Sequence, residues 1–271
     1  EIIYSNGLAT TKVGAGGRET AFGAFLRDLV KVGNKLVLVG GLRIDRWQNT
    51  RGVVSTHFLV PNTRFADVFA DRSETAISPQ AAMLFNASDR VSVYASASSS
   101  FRSPTLNELY RTFRVGNVNT LANADLRSER ATNAEFGVNY KLRAVSLRSS
   151  VFWTKVDRAV SNVTISATQN LITRQRQNVG ATRSAGFEIE AETTYRKLHL
   201  SAGYLFADSR VVDFAADPTL IGLRVPQVAR HQLTFQGRYA LEKWTLALQG
   251  RAAGKQFDDD QNLFRLEPFL Q

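Results

Sequence analysis

Cysteine is absent from these 271 residues, which excludes a disulfide framework and thiolate metal sites and leaves the compartment open. Histidine occurs only at His57, His199 and His231, far apart in sequence and in no metal-ligand spacing. There is no nucleophile elbow and no phosphate-cradling loop, so the chain reads as no enzyme and no cofactor is indicated. Gly14-Ala15-Gly16-Gly17 precedes a strand pattern rather than a helix; it is no dinucleotide fingerprint and is expected to be a flexible loop end. Long apolar runs are missing as well. Leu36 to Leu42 falls far short of the roughly 18 residues of a membrane-spanning helix, so any spanning must be by strands. The chain opens on Glu1 with no basic segment followed by an apolar one, so no export signal stands there.

Acidic residues are outnumbered, 24 Asp plus Glu against 34 Lys plus Arg, for a net charge of +10. Such an excess suits an anionic partner. The basic residues are scattered through loops without a nucleic-acid motif, which argues against nucleic acid. No linker or charge block divides the chain, so it reads as one domain over 1–271.

The informative stretch runs from Ser78 to Gly137. Val91, Val93, Ala95 and Ala97 alternate with Ser92, Tyr94, Ser96 and Ser98, the period of a strand between two unlike solvents. Phe101-Arg102-Ser103-Pro104-Thr105-Leu106-Asn107-Glu108-Leu109-Tyr110 follows; Ser103 is expected to cap a short helix with Pro104 in its first position. Leu106, Leu109, Tyr110 and Phe113 then share one face. A Gly116-Asn117 turn comes next.

The same alternation recurs in ten strands paired as five hairpins: Arg18–Lys31 with Lys35–Arg46, Arg72–Phe85 with Arg90–Ser100, Arg127–Lys141 with Ala144–Val156, Arg183–Tyr195 with Leu198–Asp208, and Arg230–Ala240 with Lys243–Lys255. Short turns centre near Gly33, Ser88, Arg143, Lys197 and Glu242, and long segments begin near Trp47, Phe101, Asp157, Ser209 and Gln256. Short turn and long loop in strict alternation describe an up-and-down transmembrane barrel, with turns periplasmic and loops extracellular. Phe187, Ile189 and Ala191 alternate with Glu188, Glu190 and Glu192, whose charges belong on a water-filled lumen, with Arg148 and Arg238 as distant charge partners. Tyr140, Tyr195, Tyr239 and Trp244 flank short turns, where an aromatic girdle belongs. Five of the six prolines lie in long segments; Pro79 is expected near the loop end of its strand.

The words S-P, Y-A-S, F-R-S-P-T-L-N-E-L-Y, G-N and L-R-S-E-x-x-x-N-x-E-x-G, in that order, resemble the β-barrel domain of TonB-dependent outer-membrane receptors. That resemblance implies an all-β fold, an antiparallel up-and-down transmembrane β-barrel of 22 strands, of which about ten are here. It also implies an N-terminal plug and final strands that this stretch lacks, so the chain is expected to be part of a longer receptor that imports a ferric siderophore or cobalamin. Partners implied are outer-membrane lipid and lipopolysaccharide, an anionic metal chelate or cobalamin, and TonB through the plug. The alternatives are a small barrel enzyme like the omptin proteases, which needs His57 on a loop with acidic partners, and a diffusion porin.

Ligand contacts are expected from the basic and aromatic residues of the long loops: Arg102, Tyr110, Arg111, Arg114, Arg174 and Arg176. An arginine fork grips carboxylate or catecholate oxygens in pairs, and rings add apolar contact. Asp258, Asp259 and Asp260 have the hard oxygens of a calcium site, but a solvated loop is the expected reading and no metal is assigned.

Overall fold

The computed structural model describes residues 2–5 and 8–271. Strands dominate: β1 (Ile2–Ser5), β2 (Leu8–Val32), β3 (Leu36–Phe58), β4 (Thr63–Phe69), β5 (Arg72–Asn86) and β6 (Val91–Arg102) precede the five-residue helix α1 (Leu106–Tyr110). After it come β7 (Phe113–Val115), β8 (Val118–Leu121), β9 (Glu129–Leu142), β10 (Val145–Asp157), β11 (Val160–Ala167), β12 (Ile172–Asn178), β13 (Ala181–Tyr195) and β14 (Leu198–Asp213). A 3-10 turn at Pro218–Leu220 leads to β15 (His231–Ala240), β16 (Thr245–Ala253), β17 (Gln256–Phe257), β18 (Arg265–Leu266) and β19 (Phe269–Leu270).

The main sheet runs β1-β2-β3-β5-β6-β9-β10-β13-β14-β15-β16-β19, with β4 beside β3. All its pairings are antiparallel, and along this path each strand pairs with the next wall strand in chain order, the intervening β4, β7, β8, β11 and β12 belonging to the long segments. The ten expected strands are β2, β3, β5, β6, β9, β10 and β13 to β16. Their order leaves β1 and β19 at opposite edges of an open sheet, where a small closed barrel enzyme would need them paired.

Register fixes which side chains share a face. Val151, Phe187, Phe206 and His231 stand opposite one another across β10, β13, β14 and β15, with Ser149, Ile189, Tyr204 and Leu233 in the next rung. Val151 is 55% and Leu233 46% exposed, a solvent exposure that large apolar groups tolerate when the solvent is hydrocarbon. On the opposite face Arg148 meets Glu190 at 3.6 Å, so the expected distant partner is a direct cross-strand one. Ser92, Asn139, Gln236 and Gln249 share that polar face around a cavity of about 980 Å³. Tyr140, Tyr195, Tyr239 and Trp244 are exposed at the short-turn end, as a girdle requires.

Four local expectations are corrected. The first hairpin is far longer than Arg18–Lys31 with Lys35–Arg46: its pairing continues to Thr11 and Phe58. The outer apolar stripe stops near Arg46, but Asp45, Trp47 and Asn49 are buried on the inner face, so alternation persists with its polarity changed. Gly14 to Gly17 form no loop end; they lie inside β2 at a register shift, and a Cβ on Gly17 would fall 3.3 Å from Leu106 of the helix, a close approach that glycine permits. Pro79 sits mid-strand in β5, opposite Leu42 of β3. The β5–β6 ladder begins only at Gln80, so the missing N–H falls just past its end. His57 is a strand residue, paired with Lys12 and Arg64 rather than placed on a loop.

The apolar cores sit at the long-loop end. One joins Trp47, Leu109, Tyr110 and Leu126; the other joins Ala159, Val163, Val179, Val211, Phe214 and Leu220. Between them a small sheet, β11-β12-β8-β7, is built from segments expected to be irregular.

Candidate functional site

The loop after β6 is ordered by its own short-range chemistry. Thr105, not Ser103, caps α1: its hydroxyl accepts from the Glu108 N–H at 3.2 Å, and its own N–H donates to Glu108 Oε2 at 2.8 Å. Pro104 lies outside the helix and is fully buried, and Phe113 belongs to β7 rather than to the helical face. Leu109 and Tyr110 turn into the core, where the Tyr110 and Phe69 rings pack tilted by 32° with centroids 4.9 Å apart.

Four cations then tie this loop down. Arg102, ending β6, donates to Glu129 and reaches Glu108 at 3.0 Å. Burial raises the Glu108 carboxyl, but hydrogen bonds and charge from Arg102 and Thr105 outweigh it and hold the group below its ordinary value. Arg176 of β12 donates from Nη1 to the carbonyls of Asn107 at 2.7 Å and Arg111 at 3.1 Å, satisfying acceptors at the helix end, and lies 5.2 Å from the Phe113 ring. Burial pushes its guanidinium below the ordinary value and Arg111 adds to this against the pull of Glu108. Arg72 donates to the carbonyls of Ala124 and, at 2.6 Å, Leu126. Arg130 donates to Glu74 at 2.8 Å.

Of the six residues singled out from the sequence, all lie in one layer, but in different states. Arg102, Tyr110 and Arg176 are committed to internal contacts. Arg111 and Arg114 are exposed, the latter donating to the Gly116 carbonyl at 3.0 Å. Arg174, mid-strand in β12 beside Thr120 and Thr164, keeps a buried Nε with no acceptor. The sequence reading missed Glu74, Glu108 and Glu129, the anions that hold the arginines. Thr105-x-x-Glu108 was the available signal for one of them.

The aspartate run is not a solvated loop. Asp259 and Asp260 are 4% and 6% exposed. Asp259 accepts from the N–H groups of Gln261, Leu263 and Phe264, and Asp260 accepts from Thr164 through N–H and hydroxyl, at 2.9 and 2.7 Å. The run thus fastens the last long loop to β11, and no group of three or more metal-binding side chains forms among the described residues. The histidines likewise stay apart: His57 bonds Asn62, His199 bonds Thr194 beside Glu192, and His231 bonds Tyr204.

A strand wall with one apolar and one polar face, carrying at one end a packed loop layer rich in arginine, is the architecture of part of a transmembrane β-barrel. The family model "TonB dependent receptor-like, beta-barrel" matches residues 3–271, and the chain belongs to that family of transporters and receptors, which resides in the outer membrane. A search of curated protein sequences found no match. Among solved structures, the ferric yersiniabactin uptake receptor FyuA of Yersinia pestis superposes with a TM-score of 0.73 at 16% identity, over 98% of this chain and 39% of that one. The siderophore receptor PiuA of Acinetobacter baumannii gives 0.67 at 18%, over 97% and 36%. The ferric-catecholate import receptor Fiu of E. coli K12 gives 0.71 at 16%, over 94% and 38%. The chain therefore spans less than two-fifths of the length of these receptors.

Proposed function

We propose that this chain supplies part of the barrel and the ligand-facing loops of a receptor that imports an anionic metal chelate, a ferric siderophore in the first instance, with cobalamin as the alternative cargo. The observation that carries the reading is the state of Arg111, Arg114 and Arg174, whose guanidinium groups retain free donor capacity in a layer where Arg102 and Arg176 are already engaged. Planar forks of this kind match carboxylate and catecholate oxygens. The ferric yersiniabactin, siderophore and ferric-catecholate receptors named above support the same class. In this reading the long-loop end faces outward, the polar cavity of about 980 Å³ is part of the lumen, and energy reaches the full receptor through its plug and TonB.

The test is growth of a strain lacking the full receptor, complemented with wild type or with the Arg111→Ala/Arg114→Ala/Arg174→Ala variant, on single ferric siderophores or on cobalamin. Rescue by an anionic ferric chelate, lost in the variant, is the expected result. Equal rescue by both forms on every source would remove the assignment of these arginines.

A further inference from the structure

Two long loops from different hairpins are joined through one side chain. Arg176 of β12, in the loop that follows β10, donates from Nη1 to the carbonyl of Asn107 at 2.7 Å and to that of Arg111 at 3.1 Å, both at the end of α1 in the loop that follows β6. The Asn107 carbonyl also accepts the Arg111 N–H at 3.1 Å, the bond that closes the helix. The tie is mutual: Asn123 donates its side-chain N–H to the Arg176 carbonyl at 2.9 Å and its backbone N–H to the Glu108 carbonyl at 3.1 Å. Carbonyls at a helix C-terminus have no partner within the helix, and here the neighbouring loop supplies one. A helix of five residues is not stable by itself, so the direction in which the chain leaves it at Arg111 is set by Arg176.

What Arg176 holds in place is another cation. Arg111 is exposed and makes no ion pair among the described residues. Burial pushes the Arg176 guanidinium below its ordinary value and the charge of Arg111 adds to this, so the two groups are close neighbours. Arg174 stands two residues before Arg176 on the same face of β12, about 7 Å away at ~3.3 Å per residue. Its Nε is buried without an acceptor, and the Thr164 hydroxyl on the paired strand is engaged by Asp260 at 2.7 Å. Glu108, the carboxylate that acts on Arg176, is already bound by Arg102 at 3.0 Å. Three guanidinium groups from two loops therefore stand together without a carboxylate of their own. Arg114 is not one of them. Phe113 of β7 packs against Arg176 at 5.2 Å, so Arg114, the next residue along, falls on the opposite face of the small sheet.

We infer that Arg176 is a positioning residue: by holding the Asn107 and Arg111 carbonyls from β12 it sets Arg111 over the face that carries Arg174, so that forks from two loops grip one anionic chelate, a role that rests on the cargo reading proposed for these loops. A single loop offers one fork to one edge of such a ligand, whereas two loops fixed relative to each other offer forks to two of its carboxylate or catecholate groups.

The full receptor in detergent is titrated with ferric tris(catecholate), a trianion, and with the neutral ferric tris(acetohydroxamate). Arg111→Ala and Arg176→Gln are each expected to weaken binding of the trianion about tenfold, the scale of one lost charge-assisted hydrogen bond, and to leave the neutral chelate unaffected. The double variant R111A/R176Q is expected to bind no more weakly than R176Q, because Arg111 without its strut is already out of place. Arg114→Ala, on the other face, is expected to cost the same factor in wild type and in R176Q, as independent sites do. Arg176→Lys, which keeps the charge but not the fork, serves if R176Q does not fold and is expected to show the same pattern with a smaller loss. Multiplying effects of R111A and R176Q would overturn the role, since Arg111 would then act without Arg176. Disappearance of the R114A effect in R176Q would overturn it as well, because the loop as a whole would have come apart. So would an Arg111→Ala receptor that binds the trianion like wild type. Coupled binding as expected, with no growth on any ferric chelate, would instead strike import alone and leave the role of Arg176 standing.

Discussion

Gly52 in β3 and Tyr110 in α1 meet so closely that a Cβ on Gly52 would lie 2.5 Å from the Tyr110 hydroxyl oxygen and 2.6 Å from the ring carbon that bears it. The helix is five residues long and does not hold itself; it is held because Tyr110 fits over a strand position with no side chain. Gly52→Ala should therefore undock the 101–126 loop, at the cost of about 1–3 kcal/mol typical of overpacking. Limited proteolysis of the full receptor would report this as faster cleavage within 101–126. An unchanged cleavage rate would mean that the contact is slack.

Arg102 is the second fastening of the same loop. Arg102→Gln removes the charged donor that Glu108 and Glu129 share and leaves them the neutral donors of Thr105 and Val160; losing charge-assisted hydrogen bonds of this kind costs about 1.5–3 kcal/mol. The loop should then exchange its amide hydrogens faster while the wall does not. The pH dependence has a definite sign. The Glu108 carboxyl is held below its ordinary value of 4.5, so its stabilisation is present at neutral pH and lost as pH falls through the lowered value. Loop protection should stay flat from pH 8 to about 5 and decline only below the ordinary glutamate range. A decline centred near pH 6.5 would point to histidine instead.

What the sequence disclosed and what it hid have separate physical causes. The ten wall strands were readable because hydrocarbon and water on opposite faces impose a two-residue period, as at Phe187, Glu188, Ile189 and Glu190. The upper part of the first hairpin was hidden because its inner face is covered by protein, so Trp47 and Asn49 are buried where the lower wall is polar. The loop layer was hidden for another reason. Arg176 and Arg72 bind backbone carbonyls, which every residue supplies, so their partners leave no mark on composition. The six loop residues were singled out by type, and only the fold separates the three that build the layer from the three with donors to spare.

Asp259 and Asp260 predict the behaviour of the last long loop. Asp259→Ala removes the acceptor of three N–H groups and Asp260→Ala releases Thr164, so either should loosen residues 256–266. Asp260→Asn, which keeps one acceptor oxygen for the Thr164 pair, should be milder. Because both carboxylates are occupied by protein donors, calcium chelation should leave protease sensitivity of this loop unchanged. Protection that disappears with chelator would restore the metal reading.

The division between hydrocarbon and water makes the sharpest prediction about the wall itself. Leu233 and Gln236 lie three residues apart on β15, and register puts Leu233 beside Tyr204 and Gln236 beside Ser201 and Gln249. Leu233 stands on the apolar face midway between Val145 and Trp153, where an arginine costs about 2–4 kcal/mol in lipid. Gln236 borders the polar cavity, where an added guanidinium stays hydrated and finds neutral neighbours. Leu233→Arg should therefore lower the amount of folded, heat-modifiable receptor in the outer membrane several-fold, while Gln236→Arg leaves it near wild type. If the two substitutions were equally tolerated, the two faces would see the same solvent, and the import reading could not stand.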